Sequence, residues 1–259
     1  MVLGRYICLF MLYSFMGWIY ECFFCVVKTG KWDKRSFLYG PVCPIYGTGA
    51  LIMTLITDYS GANRIELTFL GIFLFSAIGS VFLEYGTSWV LEKIFHAVWW
   101  DYSDYPLNLH GRVCLFSSFG FGVAGLFTVK FVVPFAENLV YPMNSLLLEI
   151  LSLIFICIFT ADLTLTVTAL KNFDRVVINF EDSFNKNMES LVSGTIQRSE
   201  AIKNNIISGQ KVINSRIALM SELGKGAVRR ISSFRYSGSS HNTDKAQNAN
   251  IILRILKRR

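Results

Sequence analysis

Glu21, Glu84 and Asp162 stand inside otherwise apolar stretches of this 259-residue chain. Ionisable groups in such stretches are costly to place in lipid and mark function by default. Glu21 lies seven residues before Lys28, Glu84 nine before Lys93, and Asp162 nine before Lys171. At about 1.5 Å of rise per helical residue, all three fall roughly 10–14 Å from one end of their segments. Gly40-Pro41-Val42-Cys43-Pro44-Ile45-Tyr46-Gly47 opens one segment at that level, and Gly111-Arg112 followed by Ser117, Ser118, Gly120 and Gly122 opens another. The pattern predicts a shared polar cavity, with Arg112 as the nearest countercharge. Structural carboxylates and close-packing glycines would produce the same pattern without one.

The segment Trp99-Trp100-Asp101-Tyr102-Ser103-Asp104-Tyr105-Pro106-Leu107-Asn108-Leu109-His110-Gly111-Arg112 is the most distinctive in the chain. Its aromatics suit a membrane interface, where a ring buries and its polar edge stays wet. Asp101, Asn108 and Arg112 supply an acceptor, an amide and a forked donor, a set that fits a polar ligand or a gate. Tyr46, Tyr85, Trp100 and Tyr102 join Glu21 and Glu84 in that candidate set. His96, Asp101, Asp104 and His110 match no dense metal-ligand spacing, and no metal or other cofactor is expected. Cys22 and Cys25 form a lone CxxC with apolar flanks and no second pair, which reads as packed thiols.

The elements that position these groups are membrane helices. The chain is 53% hydrophobic and only 17% charged, against roughly 25% charged for a soluble domain. A span needs about 20 apolar residues, and five stretches are expected: Ile7–Val27, Pro41–Thr57, Leu67–Leu91, Val113–Phe135 and Ser145–Leu170. The second is short and begins with prolines and glycines, so it reads as a span or a re-entrant segment. Lys28, Lys31, Lys34 and Arg35 lie in the first connection, Arg64 alone in the second, Lys93 and Arg112 flank the third, and Lys130 is placed near the start of the fourth. The positive-inside rule then gives an all-α membrane protein of about five transmembrane helices, N-terminus out and C-terminus in. The domain division expected is a transmembrane domain over 1–170, an amphipathic helical cytoplasmic tail over 171–223, a flexible linker over 224–250, and a basic amphipathic segment over 251–259.

Charge separates body from tail. Up to Leu170 there are nine basic and eleven acidic residues, a net of −2; from Lys171 there are sixteen and seven, a net of +9. Such a tail fits anionic lipid headgroups, with Arg229, Arg230, Arg254, Lys257, Arg258 and Arg259 at the membrane surface. No base-reading motif points to nucleic acid. Apolar residues from Phe173 to Leu191, then Ile202, Ile206, Ile213, Ile217 and Met220, recur at steps of three, four and seven, with a shift near Gly194. That periodicity predicts an amphipathic helix. Ser232 and Ser233 beside arginines are open to modification, which would weaken lipid binding.

An ordered set of short motifs carries a resemblance. It comprises Gly17-Trp18 with Glu21, Phe37-Leu38-Tyr39-Gly40-Pro41 leading to Pro44-Ile45-Tyr46-Gly47, Glu84-Tyr85, Trp100-Asp101-Tyr102-Ser103, and Asn108 with Gly111-Arg112. This set resembles the CmpB-like family of bacterial membrane proteins, putative ABC-transporter type IV permeases, over about residues 1–170. The family usually has a tryptophan before the glycine of the fourth span, where this chain has Phe121-Gly122. The resemblance implies a multi-pass protein of the bacterial cell membrane, with Gly17, Gly40, Pro41, Pro44, Gly47 and Gly111 shaping backbone and packing.

The sequence has no G-x-x-x-x-G-K-[ST] loop to cradle a nucleotide. A permease of this kind would therefore borrow a separate ATPase subunit, docked on the first or third connection, and five spans point to a homodimer or larger complex. Two further readings compete with transport. One is a membrane-embedded lipid-binding protein or enzyme, using Glu21, Glu84 and Asp101 for acid–base chemistry and Arg112 for an anionic group; no nucleophile elbow or HExxH supports the enzyme. The other is a scaffold working through the basic tail.

Overall fold

The computed structural model describes residues 2–29, 36–64, 66–193, 222–235 and 240–258. Of the features expected above, Lys31, Lys34, Arg35, Gly194, Ile202 to Met220 and Arg259 lie outside the described residues, as do the side chains of Lys28, Arg258 and residues 174–193. The fold is mostly helical. The helices are α1 (Val2–Thr29), α2 (Pro44–Ala62), α3 (Phe69–Phe95), α4 (Leu115–Phe127), α5 (Val133–Val140), α6 (Ser145–Ser193), α7 (Glu222–Arg229) and α8 (Ser240–Arg258). Four two-residue strands accompany them: β1 (Ala97–Val98), β2 (Asn108–Leu109), β3 (Val113–Cys114) and β4 (Ser233–Phe234).

Four helical stretches are long and apolar enough to cross a membrane: Leu3–Val27, Phe69–Phe95, Leu115–Val140 and Ser145–Phe173. The fifth expected span is α2, which is not among them. It begins at Pro44 rather than Pro41, and its length includes Gly47, Gly49, Thr54, Thr57 and Asp58. Pro44 fits the first helical turn, where the missing N–H would have no partner. Before it, residues 36–43 are non-helical, held by Ser36 Oγ donating to Val42 O (2.6 Å).

Lys130 does not start a connection. It lies in a π-helical turn, Thr128–Val132, that joins α4 to α5 inside one long span. Pro134 follows, and a proline removes the donor that a regular α-helix would return to the preceding turn. The wider turn takes up the mismatch, with Val133 N–H reaching Thr128 O. The Lys130 ammonium lies 5.9 Å from the ring centre of Phe69 and 5.8 Å from that of Phe131.

Two compact units divide the chain, one of residues 1–90 and 100–164, the other of 91–99 and 165–259. In the first, α1 and α2 run antiparallel: Tyr13 shares a hydroxyl bond with Thr54 (2.8 Å), and Cys43 N–H donates to Ser14 O (2.9 Å). They cross closely because Gly47 faces Ser14, and Gly17 faces Tyr46, with no room for a Cβ at either glycine. Cys8, Leu9 and Tyr13 of α1 form a buried core with Val133, Ala136 and Val140 of α5 and Leu148 of α6. Small residues also seat α3 against α4, where Gly122 lies under Phe73 and Gly125 against Ser76.

In the second unit, β4 pairs antiparallel with β1 in the register Ala97↔Phe234 and Val98↔Ser233. Val228, Ile231, Phe234, Ile252, Leu253 and Leu256 are buried there. The segment over 224–250, expected to be a linker, thus contains the end of α7, β4 and the first half of α8. α6 runs unbroken through residues 170 and 171, so the expected boundary between body and tail falls inside a helix.

Candidate functional site

The three carboxylates picked out by depth each receive hydrogen bonds from another element. Glu21 on α1 accepts from the Tyr46 hydroxyl at 2.8 Å. Tyr46 sits at the start of α2, and its ring meets Tyr20 (5.7 Å between centroids) and Phe121 of α4 (6.0 Å). Glu84 on α3 is buried, only 5% exposed. It accepts from Ser117 Oγ on α4 at 3.2 Å, a hydroxyl that it shares with Cys114 O at 2.9 Å, and from the Tyr102 hydroxyl at 3.4 Å. Asp162 on α6 grips the backbone before α2, taking Tyr39 N–H at 2.9 Å and Gly40 N–H at 2.8 Å. A carboxylate accepting two backbone donors is strongly held, because both bonds are charge-assisted.

Local sequence explains why α4 presents Ser117 to Glu84. Cys114 caps the helix: its sulfur accepts from Ser117 N–H (3.3 Å), while Ser117 Oγ receives Cys114 N–H (3.4 Å). That reciprocal box fixes the first turn. The preceding strands β2 and β3 form a hairpin, pairing Asn108↔Cys114 and Leu109↔Val113. Gly111 turns it with φ +68, and a Cβ there would meet Ser103 Oγ and lie 2.7 Å from Asp101 Oδ1. Only glycine satisfies both the left-handed backbone and the close approach.

The loop residues expected to face a ligand mostly brace the loop itself. Trp100 donates its indole N–H to Arg112 O at 2.9 Å, and Tyr102 N–H bonds Gly111 O at 2.8 Å. Asn108 spends its amide nitrogen on Tyr105 O (2.8 Å) and Ser103 O (3.3 Å), and its oxygen accepts Gly111 N–H (2.9 Å). Asp101 Oδ1 accepts from Ser103 N–H and Oγ. Arg112 lays its guanidinium over the Tyr85 ring, 5.2 Å from the centroid, and the Tyr85 hydroxyl approaches His110 Nδ1 at 3.4 Å. Tyr102 reaches a membrane carboxylate, Glu84. Burial, then the nearby Glu84 charge, pushes its hydroxyl above the ordinary tyrosine range. A raised value keeps it a protonated donor, and the linked stability is held below about pH 10 and lost as pH rises beyond it.

No group of three or more His, Cys, Asp or Glu able to hold a metal ion occurs among the described residues, so His96, Asp101, Asp104 and His110 are not gathered into one. The tail cations divide. Arg229 Nε donates to Leu256 O (2.9 Å) and Lys257 Nζ to Ile231 O (2.7 Å), so both brace the second unit. Arg254 is exposed and Arg230 half-buried.

Sequence reasoning missed a second polar cluster, made by the first turns of α1, the end of α2 and the end of α5. Asp58 Oδ2 accepts from Tyr6 (3.3 Å) and Tyr141 (3.4 Å), and Tyr141 also donates to Glu137 Oε1 at 3.1 Å. The Arg5 guanidinium lies 4.4 Å from the Tyr141 ring centre. Asp58, directly after the Pro41–Thr57 stretch, was the available signal.

A family profile described as "Putative ABC-transporter type IV" matches residues 8–167. No curated protein and no solved structure matches the chain at a significant level.

Proposed function

This chain belongs to the CmpB-like family of putative ABC-transporter type IV proteins, and on that premise we propose that it is the membrane component of an ABC-type transporter that borrows its ATPase. The observation that carries the reading is Glu84, a buried carboxylate in a membrane helix held by donors from two other segments. Such groups in membrane proteins characteristically line ion or substrate paths. Glu21 with Tyr46, and Asp162 with Tyr39 and Gly40, supply further polar contacts on neighbouring helices of the same unit. A polar cavity in the cytoplasmic half, lined by Glu21, Tyr46, Glu84 and Tyr102, is the proposed path.

Five alternating passes suit this reading better than four. α2 is antiparallel to α1, Met53 of α2 meets Ser76 of α3, and Glu84 of α3 meets Ser117 of α4. α6 runs parallel to α1, with Cys8 beside Leu148 and Phe10 beside Phe159. With the charge asymmetry, this favours an outside N-terminus and a tail in the cytoplasm of a bacterial cell. The ATPase would then dock at the first or third connection, and a homodimer would supply a full pathway.

Co-purification from native membrane tests the proposal. The expected result is an ATP-hydrolysing subunit bound to the wild-type protein, with hydrolysis per folded complex reduced in Glu84→Gln. A preparation with no ATP-hydrolysing partner would overturn it. A second reading, docking of the tail on anionic lipid, is favoured by exposed Arg254 three residues from exposed Ile251 on α8. Binding of the whole protein to anionic over neutral nanodiscs, abolished by salt, is its signature.

A further inference from the structure

The family match ends at residue 167, yet the second unit is completed by residues from inside the matched region. Phe95, Ala97 and Val98, which end α3 and form β1, are buried there. Phe234 of β4 is also buried, and its ring stacks on Phe173 with centroids 5.1 Å apart.

The way α3 ends is unusual for its sequence. His96-Ala97-Val98-Trp99-Trp100 contains no glycine or proline. Helices that stop on a left-handed residue mostly use glycine, because a side chain is strained there. Here His96 takes that conformation (φ +52), with its N–H on Glu92 O at 2.9 Å. Nothing local prevents α3 from continuing for another turn.

The C-terminal module supplies what the local sequence lacks. Arg235 N–H donates to His96 O at 2.8 Å, and Ser232 N–H to Val98 O at 2.6 Å. The outer edge of β4 is closed by a side chain: Asn250 Oδ1 accepts Phe234 N–H (2.8 Å), and its amide donates to Phe234 O (3.1 Å). Lys257 and Arg229 tie α8 to Ile231 and α7 to Leu256 through their backbone carbonyls. The strand is therefore presented by a built scaffold, and its two flanking bonds hold the His96 and Val98 carbonyls in the extended segment.

We propose that residues 96–98 form a two-state segment, a strand when the C-terminal module is docked and a further turn of α3 when it is released, so that the module is a latch on the third connection. Trp100 and Tyr102 follow in the chain within four residues of Val98, so winding that segment into α3 would disturb the Trp100–Arg112 and Tyr102–Glu84 bonds. The latch would thereby control the donor to Glu84. This inference stands independently of whether the protein transports.

The full-length protein in detergent or nanodiscs allows two readouts. Val98→Cys with Ser233→Cys reports the docked pairing through disulfide formation, judged against each single variant because six native cysteines are present. Glu92→His reports the wound state: with native His96 it makes an i, i+4 imidazole pair, which binds Ni²⁺ where one helix runs through both positions. Ser232→Pro removes the N–H that holds Val98 O, while exposed Ser232→Ala keeps it. Proline is expected to slow the disulfide and tighten Ni²⁺ binding by about tenfold each, through loss of one obligatory donor, and alanine to change neither. A proline variant that cross-links at the parental rate, or that opens without gaining Ni²⁺ affinity, would overturn the proposal. If the proline variant is not monodisperse, Asn250→Ala loosens β4 from its other edge and is held to the same two outcomes.

Discussion

Two polar clusters in the same helical unit use one pairing, a tyrosine hydroxyl on a carboxylate, under different conditions. In one, Glu84 is 5% exposed and its donors come from a capped helix start and a braced loop. Asp162, on α6 of the same unit, closes two backbone N–H groups at under 3 Å. In the other, Tyr6, Tyr141, Asp58 and Glu137 meet at 3.1–3.4 Å on partly exposed side chains at helix ends. Hydrogen bonds to a charge that water cannot reach are worth more than the same bonds in its presence. The first cluster should therefore hold the fold as well as serve chemistry, and the second should be nearly dispensable for stability.

The comparison breaks most decisively at Asp162. Asp162→Ala strands Tyr39 N–H and Gly40 N–H, and should cost about 2–4 kcal/mol, from two lost charge-assisted bonds. Thermal unfolding in detergent, with yield as a second measure, would show it. Asp162→Asn should recover part of the loss, since an amide oxygen still accepts. If Asp162→Ala unfolds with the wild type, backbone capping is not what the residue does.

Glu84 comes next. Glu84→Gln keeps an acceptor for one of its two donors, and should cost about 1–2 kcal/mol. Glu84→Leu removes both and leaves the Ser117 and Tyr102 hydroxyls without it, so a larger loss is expected. The Gln variant sharpens the comparison: a well-folded protein with lost ATP hydrolysis in the complex assigns Glu84 to function, whereas parallel losses assign it to packing. Tyr46→Phe, removing a single hydroxyl from half-buried Glu21, should cost about 0.5–1.5 kcal/mol, measured in the same unfolding assay.

How much of this was legible in the sequence depends on how far apart the partners lie. Depth along a helix is a local property, so counting from Lys28, Lys93 and Lys171 found Glu21, Glu84 and Asp162. Their donors were less accessible to that reasoning. Tyr46 and Tyr102 were singled out, but the bond from Asp162 to Tyr39 and Gly40 joins residues more than 120 positions apart. Asp101 and Asn108 were read as ligand-facing because a short loop's internal bonds look, in sequence, like spare polar groups. Lys130 is assigned to the fourth connection although the Val113–Phe135 stretch contains it, and the π turn before Pro134 carries that span on to Val140. Residues 224–250 read as a linker because their apolar residues Val228, Ile231 and Phe234 are sparse in sequence and are buried in a unit that also draws on Ile252 and Leu256 of the terminal amphipathic segment and on Phe173 and Val98.

The smallest effect belongs to the cluster that sequence reasoning missed. Tyr141→Phe removes one hydroxyl shared between Glu137 and Asp58, at distances that favour neither strongly. The ring stays, and with it the contact to the Arg5 guanidinium. A change of about 0.5 kcal/mol or less is expected at neutral pH, as for other partly exposed polar pairs. Burial first, and then the charges of Glu137 and Asp58, raise the Tyr141 hydroxyl above its ordinary range. Whatever stability it lends is therefore fully present below about pH 10 and declines as pH rises past it. Wild type and Tyr141→Phe should unfold alike at pH 7, and the wild type should lose stability relative to the variant at pH 11. A loss above about 2 kcal/mol at pH 7 would place this cluster beside Glu84, in the range of buried bonds to a charged group, and the distinction between the two clusters would fail.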